Sequence, residues 1–200
     1  MLQKSYDENN KLYLVPTPIG NMKDITYRAI EVLNGVNVVY SEDTRVTKIL
    51  LDYYGIKVKL VPCHKFNEKK IYPQVINNLQ NGNSVALVTD RGTPLISDPG
   101  YIVVNEVIKS GFSVVSLPGP SALLPALNVS GIPADKFLFY GFLSNKFEES
   151  ISELKMLKNI NFTIILYESP HRLIKTLHNI KNILGNNFIS ISREISKLHE

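Results

Sequence analysis

Glu42, Asp43 and Arg45 stand together in Ser41-Glu-Asp-Thr-Arg45, directly after the apolar run 36–40. A carboxylate in such a place can accept a proton or orient a hydroxyl. An arginine there can grip a phosphate or pair with a neighbouring acid. Asp90 is delivered in the same way by Val85-Ala-Leu-Val-Thr89 and opens the loop Arg91-Gly-Thr-Pro-Leu-Ile-Ser-Asp-Pro-Gly100. Its glycines and prolines make a stiff stretch of bare backbone, suited to a ligand read by main-chain N–H and C=O groups. Within it, Asp98-Pro99 reads as an N-cap followed by proline at the first helical position. Further special loops are Pro16-Thr-Pro-Ile-Gly-Asn21, Pro118-Gly-Pro-Ser121 and Glu168-Ser-Pro-His-Arg172, where Ser169 is a natural cap. His64 and Lys65 could touch RNA, although a lone exposed histidine is usually only surface.

Other chemistries find little support. No Gly-Lys-Ser/Thr follows Gly92, and no Gly-x-Gly-x-x-Gly follows the first apolar run, so neither common nucleotide fingerprint is present. His64, His171, His178 and His199 show no metal-ligand spacing, and no metal is expected. No serine sits in a nucleophile elbow.

Strands must position these loops. Apolar runs at 12–15, 36–40, 58–61, 85–89 and 114–117 read as strands, and stripes at helical spacing lie between them. Asp24 is the expected cap of the stripe Ile25, Ala29, Val32 and Leu33, and Thr44 that of Val46, Ile49, Leu50 and Tyr53. Residues 121–129 read as a further helix and 137–140 as a further strand. This alternation predicts an α/β fold with a mostly parallel sheet. The strands are continuously apolar, as a sheet covered on both faces requires. Parallel strands end on one edge, so loops 16–21, 41–45, 90–98 and 118–121 should converge there. A boundary is expected near Gly141, dividing a 1–141 domain from a smaller α/β domain over 142–200. The second domain should hold strands at 162–166 and 188–191 and helices around Leu154 and Leu177. So small a sheet is marginal alone, so a truncated C-terminal domain, or one completed by a partner chain, is expected.

The 200 residues are 44% hydrophobic and 20% charged, which excludes wholesale disorder. The formal charge of +4 is compatible with an RNA partner without demanding one. Cys63 is the single cysteine, which excludes an internal disulfide framework and fits a reducing cytosol. Residues 1–10 are polar, so no signal peptide begins here, and no apolar run reaches the ~20 residues of a membrane span.

Val15-Pro-Thr-Pro-Ile-Gly-Asn21, Ser41-Glu-Asp-Thr-Arg45, the Thr89-Asp90 and Gly92–Gly100 loop, Ser116-Leu-Pro-Gly-Pro-Ser-Ala122 and Tyr167-Glu-Ser-Pro-His-Arg172 together resemble one family. It is that of the small-subunit ribosomal RNA methyltransferases, within the tetrapyrrole methylase superfamily, which methylate a cytidine 2′-hydroxyl in the decoding centre of 16S rRNA. The resemblance implies S-adenosyl-L-methionine as donor, bound in a cleft between two α/β domains. It implies a cytoplasmic homodimer acting on the small ribosomal subunit, with no DNA or membrane partner. It assigns the cofactor to Pro18 and Gly20, to Asp90, Gly92, Thr93, Pro94, Leu95 and Ser97, and to Pro118, Gly119, Ser121 and Ala122. Loop placement then makes Glu42, Asp43 and Arg45 the expected catalytic group, with Asn21, Arg45, His171 and Arg172 toward the substrate.

The chain departs from the family in two places. Arg91 stands where the family usually has a small residue, and the family's second domain runs on past Arg193-Glu194. A methyltransferase acting on a tetrapyrrole precursor is the nearest rival reading. A non-catalytic RNA-binding remnant is the rival of another class.

Overall fold

Short apolar strands with no polar face can be buried only between two layers of helix, and this chain is built that way. In the computed structural model, which describes residues 10–199, β1 (Lys11–Leu14), β2 (Val38–Ser41), β3 (Lys59–Pro62), β4 (Val85–Val88) and β5 (Ser113–Ser116) form one sheet. All its pairings are parallel, in the order β3-β2-β4-β1-β5. The polar amino-terminal residues 1–9 and Glu200 lie outside the described residues. The helices between the strands are α1 (Tyr27–Gly35), α2 (Thr44–Tyr53), α3 (Glu68–Gln80) and α4 (Tyr101–Lys109).

The pleat sorts the core. Tyr13, Val39, Ala86 and Val88 turn to one face, where they pack with Ala29, Val32 and Leu33 of α1 and Leu50 and Leu51 of α2. Leu12, Leu14, Val38, Tyr40, Val85 and Leu87 turn to the other, against Ile71, Val75 and Leu79 of α3 and Val103 and Val107 of α4. Alternate residues of one apolar run thus serve two cores.

The strand order decides which loops meet. Leu14 is in register with Leu87 and with Ser116, and Ser41 with Val88. The loops after β1, β2, β4 and β5 therefore leave neighbouring strands at one edge, as expected from parallel topology.

The helix starts are set differently from the expectation. Thr26 caps α1, accepting from the Ala29 N–H, while Asp24 closes a short 3-10 turn at Met22–Asp24. Asp43 caps α2 through the Arg45 N–H, and Thr44 is its first helical residue. Gly100, at φ +125°, precedes α4 in place of Asp98. The buried Glu68 carboxylate of α3 accepts from the Ile102 N–H at 2.9 Å and supplies that cap from across the fold.

The chain divides into two compact units, Met1–Ala122 with Ser196–His199, and Leu123–Ile195. The division falls before the boundary expected near Gly141. The reason is that β6 (Phe137–Phe142) pairs with β7 (Thr163–Tyr167) and so belongs with the later residues. The second unit opens with α5 (Leu123–Val129) and also holds α6 (Phe147–Leu157) and α7 (Leu173–Leu184). Its core is built on Leu143, Leu154 and Leu157. The strand expected at 188–191 does not form. Those residues have no ladder partner, and Phe188 and Ile191 remain 77% and 56% exposed. Ser169 contributes its carbonyl, not its hydroxyl, to the start of α7. No described helix is long and apolar enough to cross a membrane.

Candidate functional site

The edge of the larger sheet is drawn together by its own backbone. Thr17 and Gly92 exchange both main-chain hydrogen bonds at 2.9 Å, which ties the loop after β1 to the loop after β4. The Thr17 hydroxyl donates to the Thr89 carbonyl at 3.1 Å. The Thr93 hydroxyl donates to the Pro120 carbonyl at 3.0 Å and brings in the loop after β5. Gly119 lies so close to Pro16 that an added Cβ would stand 2.7 Å from the Pro16 Cβ. Glycine is required there by close approach, not by its φ.

The loop after β4 is strained. Leu95 and Ser97 are non-glycine residues at φ +71° and +65°. Each such residue costs on the order of 1–3 kcal/mol, and such outliers cluster at functional sites. The side chain of Leu95 packs into the sheet core, so this residue can offer a ligand only its main chain. Gly100 sits against Leu87, with 2.7 Å between an added Cβ and the Leu87 Cδ2.

Carboxylates gather at the same edge. The Asp90 Oδ1 accepts the Asp43 N–H at 2.9 Å, which joins the loop after β4 to the start of α2. Burial, and then the nearby charge of Asp90, raises the Glu42 carboxyl above its ordinary range. Asp98, expected only as a cap, belongs to this group. Burial, followed by the charges of Glu42 and Asp90, pushes it up to about 6. Asp43 goes the other way. Arg45 reaches it through Nε at 3.0 Å and Nη2 at 2.6 Å and holds its carboxyl down at about 2. Two neighbouring acids thus have opposite characters. Glu42 is proton-hungry, and Asp43 is a weak base already serving as helix cap and ion-pair partner.

A cavity of about 280 Å³ opens beside this cluster. The loop after β1 contributes Thr17, Pro18, Gly20 and Met22, and α2 contributes Val46, Thr47, Ile49 and Leu50. Thr89, Asp90 and Arg91 close it from the β4 side, and Lys197 also lines it. Of the residues expected at the cofactor, Pro18, Gly20 and Asp90 line this cavity. Gly92, Thr93, Pro94, Leu95 and Ser97 lie further along the same loop, and Pro118, Gly119, Ser121 and Ala122 lie on the loop that Thr93 ties to it. Arg91 is exposed at the cavity's wall.

The expected substrate contacts are divided between the two units. Asn21 is exposed beside the 3-10 turn, where its side chain accepts from the Lys23 N–H and its main-chain N–H donates to Ser196. Arg45 is exposed on its ion pair. In the second unit, Arg172 spends its donors internally. It binds the Leu143 and Ser144 carbonyls, both at 3.1 Å, the Asn145 side chain, and Glu168 at 3.4 Å. Glu168 accepts in turn from the Thr176 hydroxyl at 2.6 Å. His171 is exposed. This motif therefore staples the start of α7 to the segment after β6. Cys63, by contrast, is a core residue whose thiol burial raises to about 12, which leaves it unreactive.

A five-stranded parallel sheet with ligand-shaped loops at one edge, followed by a smaller α/β unit, defines the class. The model of the Tetrapyrrole (Corrin/Porphyrin) Methylases matches residues 11–197, and the chain belongs to that family of methyltransferases. Within it, the similar curated relatives are named "Ribosomal RNA small subunit methyltransferase I". The relative of Mesorhizobium japonicum is 48% identical over 190 residues, covering 94% of this chain and 65% of its own length. That of Halalkalibacterium halodurans is 44% identical over 201 residues, covering 99% and 70%, and that of Bacillus subtilis 45% over 205 residues, covering 100% and 70%. The chain thus spans about two thirds of the length of these relatives. Among solved structures, the fold is shared with a cobalt precorrin-4 methyltransferase at TM-score 0.64 and 18% identity, covering 92% of this chain and 78% of that one. It is shared also with the uroporphyrin-III C-methyltransferase of Thermus thermophilus at TM-score 0.60 and 19% identity, covering 88% and 78%.

Proposed function

We propose that the chain carries the methyl-transfer site of an S-adenosyl-L-methionine-dependent ribosomal RNA methyltransferase. Its target is the 2′-hydroxyl of a cytidine in the decoding centre of the small subunit, and it works in the cytoplasm as a homodimer. The observation that carries this reading is identity of 44–48% over nearly the whole chain to relatives named for ribosomal RNA methylation. The solved tetrapyrrole methylases, at 18–19% identity, share the fold and argue nothing about substrate.

The donor set at the sheet edge fits the cofactor. A sulfonium and an ammonium are cations, and Glu42 and Asp98 supply negative charge at that edge. The strained main chain at Leu95 and Ser97 and the loop at Pro118–Ala122 offer polar backbone to the rest of the molecule. S-adenosylmethionine supplies an electrophilic methyl group on sulfur.

The chain's own residues then have defined work. Aligning hydroxyl and methyl group is worth about 7–11 kcal/mol, and a positioned base adds roughly 10²–10⁴-fold, or about 3–5 kcal/mol. Positioning is the larger of the two. Glu42 is the better proton acceptor of the two adjacent acids, because burial and Asp90 raise its proton affinity while Arg45 lowers that of Asp43. Asp43 orients the start of α2.

Transfer of a labelled methyl group from S-adenosylmethionine to small ribosomal subunits lacking the modification tests the reading. Label in 16S rRNA, resistant to alkali at one cytidine, is the expected result. Label in a porphyrinoid instead of RNA would replace this reading with the tetrapyrrole one. Cofactor binding without transfer to either would leave an RNA-binding remnant.

A further inference from the structure

The cavity beside Asp90 has a polar feature that no described residue satisfies. The Thr47 hydroxyl is buried, with the residue 2% exposed, and has no hydrogen-bond partner among the described residues. Thr47 lines the cavity together with Asp90. A buried hydroxyl left without a partner costs free energy that a bound ligand can return. Asp90 presents a similar opportunity. Its Oδ1 holds the Asp43 N–H, and no described donor reaches its Oδ2. Met22, Val46 and Ile49 supply apolar wall around these two polar groups, and Lys197 also lines the space. At about 280 Å³ the space is smaller than most drug-sized sites and suits a single ring system.

We infer that this cavity seats the base of the ribonucleotide to be methylated and reads its amino edge. This rests on the RNA reading above. A ring fits the apolar walls. The Asp90 carboxylate accepts from an exocyclic amino group, as aspartate does with the amino group of cytosine, and the Thr47 hydroxyl donates to the adjacent ring nitrogen. Uracil offers an oxygen where cytosine offers the amino group, so it meets the carboxylate with like polarity. Arg91 stands at the wall, and its guanidinium makes no hydrogen bond or ion pair with the described residues, so it is available to the nucleotide's phosphate. The arginine that departs from the family pattern would then belong to the nucleotide side of the site.

Methyl NMR of the full chain tests this, with cytidine 5′-monophosphate, uridine 5′-monophosphate and S-adenosylmethionine as separate probes. Cytidine monophosphate should shift the methyl signals of Met22, Val46 and Ile49 and bind about tenfold more tightly than uridine monophosphate. Thr47→Val keeps the side-chain shape and should weaken cytidine monophosphate about two- to tenfold. Ile49→Glu changes an exposed residue, so the fold should survive, and it should abolish the shifts. Unmoved cavity methyls, or equal affinity for the two pyrimidines, would overturn the inference. So would displacement of these same methyls by S-adenosylmethionine, which would give the cavity to the adenosine of the cofactor. Methyl transfer to small subunits, measured in parallel, separates the two claims. Transfer without a cytidine response removes this inference alone, and a cytidine response without transfer removes the ribosomal reading alone.

Discussion

Asp98→Asn should stabilise the protein at neutral pH and do nothing in mild acid. Asp98 is half-buried near Glu42 and Asp90, and these surroundings raise its carboxyl from 3.8 to about 6. The folded state therefore binds its proton more tightly than the unfolded state. Stability from this group is present below the unfolded value and is lost as pH rises through about 4 to 6. A shift of about 2 units corresponds to roughly 3 kcal/mol. Solvent screening at a half-buried position reduces this to about 1–2 kcal/mol. Asparagine has the shape of the neutral acid and cannot ionise, so above pH 7 the variant should be more stable by that amount. For a chain of this size the gain is about 2–8 °C in melting temperature. Urea unfolding at pH 4, 5, 6 and 7 is the assay, with equal slopes expected for both proteins. A variant that is less stable than wild type at pH 7, or whose difference from it is the same at pH 4 and pH 7, would refute the reasoning. The expected gain has a functional meaning. A chain that keeps three acids together at a cost in stability is spending it on negative potential at the sheet edge.

The neighbouring acids should separate in turnover. Glu42→Gln should lower methyl transfer on the order of 10²–10³-fold with the cofactor still bound, and Asp43→Asn should cost mainly helix stability; equal losses for the two would remove the assignment of the base. Glu68→Ala should destabilise the first unit by roughly 1–3 kcal/mol in urea melts, because the Ile102 N–H loses its carboxylate cap, and an effect below ~0.5 kcal/mol would mean that water replaces it. Gly119→Ala should cost about 1–3 kcal/mol through contact with Pro16, and proteolysis at the loops after β1 and β5 should report the loosening. Arg172→Ala should lower the stability of the second unit while leaving the salt dependence of RNA binding unchanged, and a salt slope reduced by about one would show that the arginine touches phosphate.

Much of this could be read from residue types because the signals were local. Continuous apolar runs mark strands covered on both faces, and stripes such as Ile71, Val75 and Leu79 mark the helices that cover them. Parallel topology then predicts a shared loop edge without any knowledge of strand order. The errors fall where partners are distant. Asp98 before a proline has every local mark of a cap, yet the cap of α4 comes from Glu68, 34 residues away from the N–H it accepts. The pairing of β6 with β7 moves the unit boundary, and pairing leaves no trace in a single strand's composition. Arg172, expected toward the substrate, also carries internal bonds. Its partners Leu143, Ser144 and Asn145 lie on the far side of α6 in the chain, so its internal role is invisible in the local pattern.

The same distinction explains why Asp98 and Thr47 escaped notice as site residues. A threonine one turn into a helix after a charged loop is ordinary, and so is an aspartate before a proline. Each gains meaning only from what the fold places beside it: two carboxylates for Asp98, and for Thr47 a cavity that it lines together with Asp90. Glu42 and Asp43 make the converse case. Adjacent in sequence and alike in type, they are driven apart in proton affinity by Asp90 on one side and Arg45 on the other. Strand order supplies that difference, because β4 lies directly beside β2 and carries Asp90 to the start of α2. A sheet ordered otherwise would leave the same two acids nearly equivalent, and the assignment of proton acceptor to Glu42 would have no physical basis.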